Sequence, residues 1–308
     1  MLNEKQTSNL ESINGIFEMF RDYNNPYLMI KKIPTGFQSL DEALAGGLIA
    51  GVHTICAQPG SGKTTFALNI AVNAARSGTP VIYLSYEMPL LDLATKMYSL
   101  VSSELSQTNG GFSFDDIRTE KKLTSAESRL YKKTCDYMES NFCDKIYFLD
   151  GKKYRYKTAQ IVNEIEMFIT SKQQKPLVVV DYIQMIAQDE ESASLKENIE
   201  NAMLALHNIA EEYQFPVVSI SAIAKQGSDS LNMFSGAESA RIAFGSVTHC
   251  GLTIKNKGDE AAYKTVELKL FKNRYGKSDI AINFCFDGEH SRFFEQKFVK
   301  KSKPKKDE

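Results

Sequence analysis

The chain predicts an α/β protein with a mostly parallel central sheet flanked by helices and antiparallel strands added at the C-terminal end. Three observations carry that expectation. Short apolar runs alternate with segments of helical spacing from residue 52 to residue 221, and such repeated alternation demands a parallel core sheet. One of those runs, Pro176-Leu177-Val178-Val179-Val180-Asp181, is apolar without a break up to the aspartate at its tip. Beyond residue 250 the pattern changes to period two, with Val266, Leu268 and Leu270 on one face.

The chain has 308 residues, enough for one large domain or one domain plus an appendage. With 43% hydrophobic and 24% charged residues, its composition is that of an ordinary soluble globular protein. No apolar run approaches the ~20 residues a membrane helix needs. The start, Met1-Leu2-Asn3-Glu4-Lys5, is too polar for a signal peptide, so the expected location is the cytoplasm, with no membrane contact. Five cysteines, at 56, 135, 143, 250 and 285, are scattered, and they read as reduced core residues rather than a disulfide frame or zinc site. The four histidines show no metal-ligand spacing. A net charge of −1 offers no general attraction for nucleic acid, so any basic surface has to be local.

Taken in order, residues 1–30 are polar with a weak helical stripe of Leu10, Ile13, Ile16, Phe17 and Phe20. Such a helix has to bury its stripe on its own core or on a neighbouring subunit. A turn-rich segment, Ile33-Pro34-Thr35-Gly36-Phe37-Gln38-Ser39-Leu40-Asp41 and then Gly46-Gly47-Leu48, leads into the first strand, Val52-His53-Thr54-Ile55-Cys56. The next stretch is Ala57-Gln58-Pro59-Gly60-Ser61-Gly62-Lys63-Thr64-Thr65, and a segment with helical spacing (Phe66, Ala67, Ile70, Ala71, Ala74) follows it. Strand, glycine loop and helix are the context in which G-x-x-x-x-G-K-[ST] means phosphate binding. Gly60 and Gly62 let backbone N–H groups turn inward around an anion, and the helix start adds its positive dipole end. Lys63 would reach the β- and γ-phosphates of ATP, and the Thr64 hydroxyl would ligate Mg²⁺. The first glycine of the pattern is Ala57, tolerable where φ stays negative.

Gly78-Thr79-Pro80 stops that helix, and the strand Val81-Ile82-Tyr83-Leu84-Ser85 ends at Tyr86-Glu87-Met88-Pro89. Glu87 is expected at the carboxyl end of a buried strand beside the phosphate-loop strand, positioned to orient an attacking water. A helix-start acid near Pro89 is its plainer alternative. Helices follow at 90–103 and 124–141, the second opened by the capping box Thr124-Ser125-Ala126-Glu127. The strand at 145–149 leads to a helix with apolar positions 161, 162, 165, 168 and 169. Asp181 then ends its strand as the second half of the metal site, with Thr64. A helix at 194–213, a strand at 216–221 and a glycine- and serine-rich loop at 225–239 come next. Strands near 251–255, 265–271 and 279–286 make the antiparallel addition, and a basic tail with six lysines from Lys297 to Glu308 is expected to be disordered.

With these residues assembled, the chain resembles the ATPase domain of bacterial replicative helicases of the DnaB type, a hexameric branch of the RecA-like P-loop ATPases. The resemblance runs in order from about residue 31 to 295 on Ile33-Pro34-Thr35-Gly36-Phe37 with Leu40-Asp41, the phosphate loop, and Ser85-Tyr86-Glu87-Met88. It continues on Ile117-Arg118-Thr119, Asp181-Tyr182-Ile183-Gln184, Lys272-Asn273-Arg274-Tyr275-Gly276, and Phe286-Asp287-Gly288 with Ser291-Arg292-Phe293. It implies a RecA-like domain over 31–298, a subunit-docking helical segment over 1–30 and a tail over 299–308. It also implies that Glu87 activates the water and that Gln184 sits near the γ-phosphate. Lys272 and Arg274 would act in trans on the ATP of the adjacent subunit. The implied partners are single-stranded DNA, further copies of the chain in a ring (expected to be a hexamer) and other replication proteins. The implied activity is an ATP-dependent DNA helicase motor.

The sequence departs from the family pattern at four places. The family's accessory N-terminal domain is expected to be absent, Ala222 stands where a glutamine usually follows Ser221, and acidic residues before the next strand give way to Gly245-Ser246-Val247-Thr248. The loop Gln188-Asp189-Glu190-Glu191-Ser192 is acidic, and an acidic channel repels phosphates. These last features leave open a RecA-fold ATPase that drives a protein assembly, or a nucleotide-binding regulatory module.

Overall fold

The computed structural model describes residues 13–22, 29–106, 110–120, 122–186, 194–223, 242–243, 245–255 and 263–295. Its strands are β1 (Gly51–Ala57), β2 (Val81–Ser85), β3 (Ile146–Asp150), β4 (Leu177–Asp181), β5 (Pro216–Ala222), β6 (Thr248–Ile254), β7 (Lys264–Asn273), β8 (Ile280–Asp287) and β9 (Arg292–Glu295). They form one sheet in the order β3-β2-β4-β5-β1-β6-β7-β8-β9. The helices are α1 (Ile13–Phe20), α2 (Gln38–Ala43), α3 (Lys63–Arg76), α4 (Leu90–Leu105), α5 (Phe114–Arg118), α6 (Ser125–Phe142), α7 (Gly151–Tyr154), α8 (Thr158–Lys172) and α9 (Leu195–Tyr213).

Local chemistry accounts for most boundaries. Thr124 and Glu127 form the expected capping box of α6, and Ser113–Asp116 and Ser194–Glu197 repeat it on α5 and α9. Each box satisfies backbone N–H groups that a helix start leaves without partners. Strands β1, β2 and β4 are buried along their whole length, and two apolar layers cover them. One layer joins Phe66 and Ile70 of α3 to Leu93 and Met97 of α4. The other joins Ile161 and Ile165 of α8 to Ile199, Leu206 and Ile209 of α9. The opening segment is fastened to α3, because the Asp41 carboxylate accepts from Thr35 N, Thr35 Oγ1 and Gly36 N, while Asn73 Nδ2 donates to the Thr35 carbonyl.

Several expectations need correction. Strand β2 is not beside β1: β4 and β5 lie between them, since crossover helices place strands by packing and not by sequence order. The sixth strand does not belong to the antiparallel addition alone. It pairs parallel with β1 (His53 with Thr248, Ala57 with Leu252) and antiparallel with β7. A short strand, β9, extends the sheet where only a motif was expected. Three cysteines are buried, but Cys135 and Cys143 are exposed, on and just after α6, whose outer face is polar. The apolar stripe of α1 is not covered by the described core of this chain, and Ile13, Phe17 and Phe20 are about three-fifths exposed. The acidic loop 188–192, the loop 225–239, Leu10 and the tail 299–308 lie outside the described residues.

Candidate nucleotide site

The phosphate loop turns at Gly60 and Gly62, with φ of 80° and 87°. Gly62 has a second reason to be glycine, since a Cβ there would meet Phe293 at 3.0 Å and Phe286 at 3.2 Å. Ser61 Oγ donates to the Gln58 carbonyl at 2.7 Å and so closes the loop on itself. Ala57, in place of the first glycine, ends β1 fully buried in extended backbone and outside the left-handed region. Pro59 and Gly60 are part of the exposed turn, whereas Thr65 is buried in the first turn of α3.

Lys63 starts α3, and only 7% of it is exposed. Its Nζ lies 3.9 Å from Glu87 Oε2 and 6.0 Å from the centre of the Tyr182 ring. Glu87 follows β2 with about half of its side chain exposed, so it faces solvent on one side and the buried lysine on the other. Although β2 and β1 are not neighbours, Lys63 after β1 and Glu87 after β2 reach toward each other across the carboxyl ends of β4 and β5.

Asp181 is wholly buried at the end of β4. Its Oδ2 accepts from Tyr83 Oη at 3.0 Å, while Oδ1 has no hydrogen-bond partner among the described residues. Burial pushes its carboxyl above the usual carboxylate range, and Thr64, Tyr83 and Lys63 work in the opposite direction. A buried carboxylate oxygen without a partner, with the Thr64 hydroxyl near enough to act on the same group, is a fitting donor set for a hard cation such as Mg²⁺. The Asp181–Tyr182 peptide is cis.

Gln184 is tied to the end of β5. Its Nε2 donates to Ser221 Oγ at 2.8 Å and to the Ala222 carbonyl at 3.1 Å, and its Oε1 accepts from Ala222 N. Lys272 and Arg274 belong to a different place. Lys272 Nζ donates to the Ala243 carbonyl at 2.9 Å, and Arg274 begins the exposed turn after β7 with its backbone N–H on the Val247 carbonyl. The structure therefore brings Lys63, Thr64, Glu87 and Asp181 into one site and leaves Arg274 facing outward on the same chain.

Sequence reading missed several residues that hold this site. Asn69 Nδ2 donates to the Thr65 and Ser291 carbonyls, and its Oδ1 accepts from Phe293 N, clamping the β8–β9 hairpin onto the phosphate-loop helix. Phe286 and Phe293 stack 4.4 Å apart beside Gly62, and Phe66 packs edge-on to Phe293. A buried amide at a helical core position was the available signal for Asn69, since such a group has to find partners. Asn273, to which the sequence assigns no role, donates its Nδ2 to the carbonyls of Ala43 and Lys277, and its Oδ1 accepts from Tyr275 N.

A parallel sheet whose first strand leads through a glycine loop into a lysine-headed helix, with an acidic residue at the ends of two further strands, defines a P-loop nucleotide-binding domain. With its C-terminal antiparallel strands the sheet has a RecA-like fold. The chain belongs to the DnaB-like helicase C-terminal domain family, whose pattern matches residues 32–295. It is 28% identical over 193 residues to the replicative DNA helicase DnaB of Haemophilus influenzae, a match covering 62% of this chain and 38% of that protein. It is 24% identical over 290 residues to a probable replicative DNA helicase of Trieres chinensis, covering 89% of this chain and 59% of that one. The chain thus spans only part of the length of the curated relatives it matches. A separately solved ATPase domain superposes with a TM-score of 0.76 at 18% identity, over 92% of this chain and 97% of that one. A DnaB-like replicative helicase solved for its interactions with primase also gives 0.76 at 18% identity, over 94% and 68%. No helix among the described residues is long and apolar enough to cross a membrane.

Proposed function

We propose that this chain is the ATP-hydrolysing motor of a ring-forming, cytoplasmic DNA helicase, drawing single-stranded DNA through a hexamer of its copies and working with other replication proteins. The observation that carries this reading is the meeting of Lys63, Glu87 and Asp181 at one sheet edge in a member of this family. The loop 57–65 wraps the triphosphate with its N–H groups, and Lys63 neutralises the β- and γ-phosphates. Thr64 and Asp181 would hold Mg²⁺, which would screen phosphate charge. A phosphate chain that takes over Lys63 leaves the Glu87 carboxylate to orient and deprotonate the attacking water. Gln184 joins the ends of β4 and β5, so a change at the γ-phosphate is passed to β5 through its bonds to Ser221 and Ala222. Arg274, with Lys272 behind it, completes the site of the next subunit, stabilising charge that develops only in the transition state. The exposed stripe of α1, in segment 1–30, docks on that neighbour.

The test is an ATPase assay with and without single-stranded DNA, run beside a mass measurement with nucleotide present. Stimulation by DNA together with a nucleotide-dependent ring is the expected result. ATP turnover indifferent to DNA, in a ring that forms normally, would replace the helicase with a second reading that Ala222 favours: a motor acting on a protein assembly. At that position only backbone engages Gln184, where the family usually offers a side-chain amide.

A further inference from the structure

We propose that the turn Lys152–Lys157 is a separate contact site for single-stranded nucleic acid. Four cations and two tyrosines fall within its six residues, Lys-Lys-Tyr-Arg-Tyr-Lys, in a chain whose net charge is −1. Lys152, Lys153, Arg155 and Lys157 are all exposed, and Tyr154 is 58% exposed. Lys153 Nζ lies 4.8 Å from the centre of the Tyr154 ring, and the Tyr154 and Tyr156 rings are 5.8 Å apart. An aromatic face beside closely set cations is the arrangement that takes a base by stacking and the adjoining phosphates by charge.

The turn is held in shape. Lys153 N donates to Asp150 Oδ1 and Arg155 N to the Gly151 carbonyl, each at 2.8 Å. Tyr86 Oη donates to the Tyr156 carbonyl at 2.6 Å, and Gly151 is buried against the Tyr86 ring. Arg155 sits in the left-handed region at φ 49°, a place where glycine or asparagine costs less. Asp150 and Glu164 are the acids that act on this cluster, one at its foot and one on α8, so the excess charge remains positive.

Its position suits the ligand. Asp150 ends β3 in register with Ser85, which is itself in register with Asp181. At a strand spacing of about 4.8 Å, the turn stands about 10 Å along the sheet edge from the end of β4 and about 19 Å from the glycine loop. It therefore shares the edge of the nucleotide site, with its nearest link to that site through Tyr86, which precedes Glu87 just after the adjoining strand β2, and it adds basic surface to a chain whose loop at 188–192 is acidic.

This inference rests on the reading that the chain acts on nucleic acid. The experiment is fluorescence anisotropy of labelled oligothymidine with the full chain, titrated between about 50 and 200 mM salt. The combined variant Lys152→Ala/Lys153→Ala/Arg155→Ala should bind at least tenfold more weakly at low salt. Its slope of log K against log salt should fall by about 2, at about 0.7 per phosphate contact. Tyr154→Ala should lose about tenfold in affinity with the slope unchanged, and Tyr154→Phe should keep wild-type affinity because the ring is retained. ATP turnover without DNA should match wild type in all three, showing that the fold is intact. A triple variant with wild-type affinity and slope overturns the site while the DNA reading stands. A wild-type chain that binds no oligothymidine removes the DNA reading itself.

Discussion

Lys63 and Arg274 are both cations of quoted motifs, yet their surroundings are opposite. Lys63 is buried with Glu87, Tyr182 and Asp181 around it, all supplied by the same chain. Arg274 is exposed in a turn where Tyr275 is 61% exposed, and its hydrogen-bonded anchor is its own backbone. The first region is finished by folding. The second presents a cation with no ion-pair partner among the described residues, and on the proposed reading its chemistry is finished by assembly. On that reading one catalytic unit is divided between two physical regimes, and each can be broken separately.

The largest effect is expected from Arg274→Ala. Turnover should fall by about 10³-fold or more, with nucleotide affinity measured by equilibrium binding unchanged. Glu87→Gln should lower turnover by about 10²- to 10⁴-fold, again with nucleotide still bound. Mixing the two inactive variants is the sharper measurement. If the two regions belong to different subunits, some interfaces in a mixed ring pair an intact Glu87 with an intact Arg274, and activity returns. Mixtures as inactive as their components, or an Arg274→Ala chain that hydrolyses normally, would put both residues outside a shared site.

The two regions meet at the β1–β6 seam, which predicts an acid sensitivity. His53 Nε2 donates to the Ile49 carbonyl, so its Nδ1 accepts from Thr248 Oγ1 across the seam at 2.9 Å. His249, on β6, lies 3.6 Å from Cys56 Sγ on β1 and beside Lys272. Burial, the larger cause in both, lowers each imidazole to about 4, with Lys272 adding to the effect at His249. The unfolded chain takes up these protons near pH 6.5 and the folded chain does not. Stability should therefore be level above pH 6.5 and fall as pH drops toward 4, by about 3 kcal/mol for each histidine. Urea unfolding across that range measures it, and His53→Asn or His249→Asn should flatten the slope. A wild-type chain equally stable at pH 7 and pH 4.5 would mean the seam is wet.

Much of this was legible because it is local. Glycines 60 and 62, the lysine and the Thr124–Glu127 capping box are all set within a few residues, so their spacing revealed them. Asp181 was legible for a related reason, as an acid at the tip of an unbroken apolar strand. What stayed hidden depends on distant pairing. Nothing in Val81–Ser85 says that two strands will separate it from β1, and nothing in Thr248–Ile254 says that one edge pairs parallel and the other antiparallel. The partners of Asn69 and Gln184 are likewise residues brought close only by the finished sheet.

Asn273 gives the smallest effect and the finest test of the comparison, because it joins the exposed turn to the folded interior. Its amide holds Ala43 at the end of α2 and Lys277 across the turn, while its oxygen takes the N–H of Tyr275. Gly276 of the same motif leaves room for it, since a Cβ there would come within 2.5 Å of Asn273 Nδ2. Asn273 and Gly276 of the Lys272-Asn273-Arg274-Tyr275-Gly276 segment thus act as one brace, tying the turn that carries Arg274 to the end of α2. Loss of the brace removes placement and leaves the charge, so Asn273→Ala should reduce kcat about tenfold with KM unchanged, as for a group displaced by less than about 1 Å. Gly276→Ala should do the same by displacing the amide. On the proposed reading only the neighbouring site feels the change, so an Asn273→Ala subunit should keep its own Glu87 fully competent. Mixed with Glu87→Gln subunits, whose Arg274 is correctly held, it should restore as much activity per mixed interface as a wild-type subunit does. A raised KM, or damage to the subunit's own nucleotide affinity, would make Asn273 part of the folded interior rather than a support for the borrowed cation.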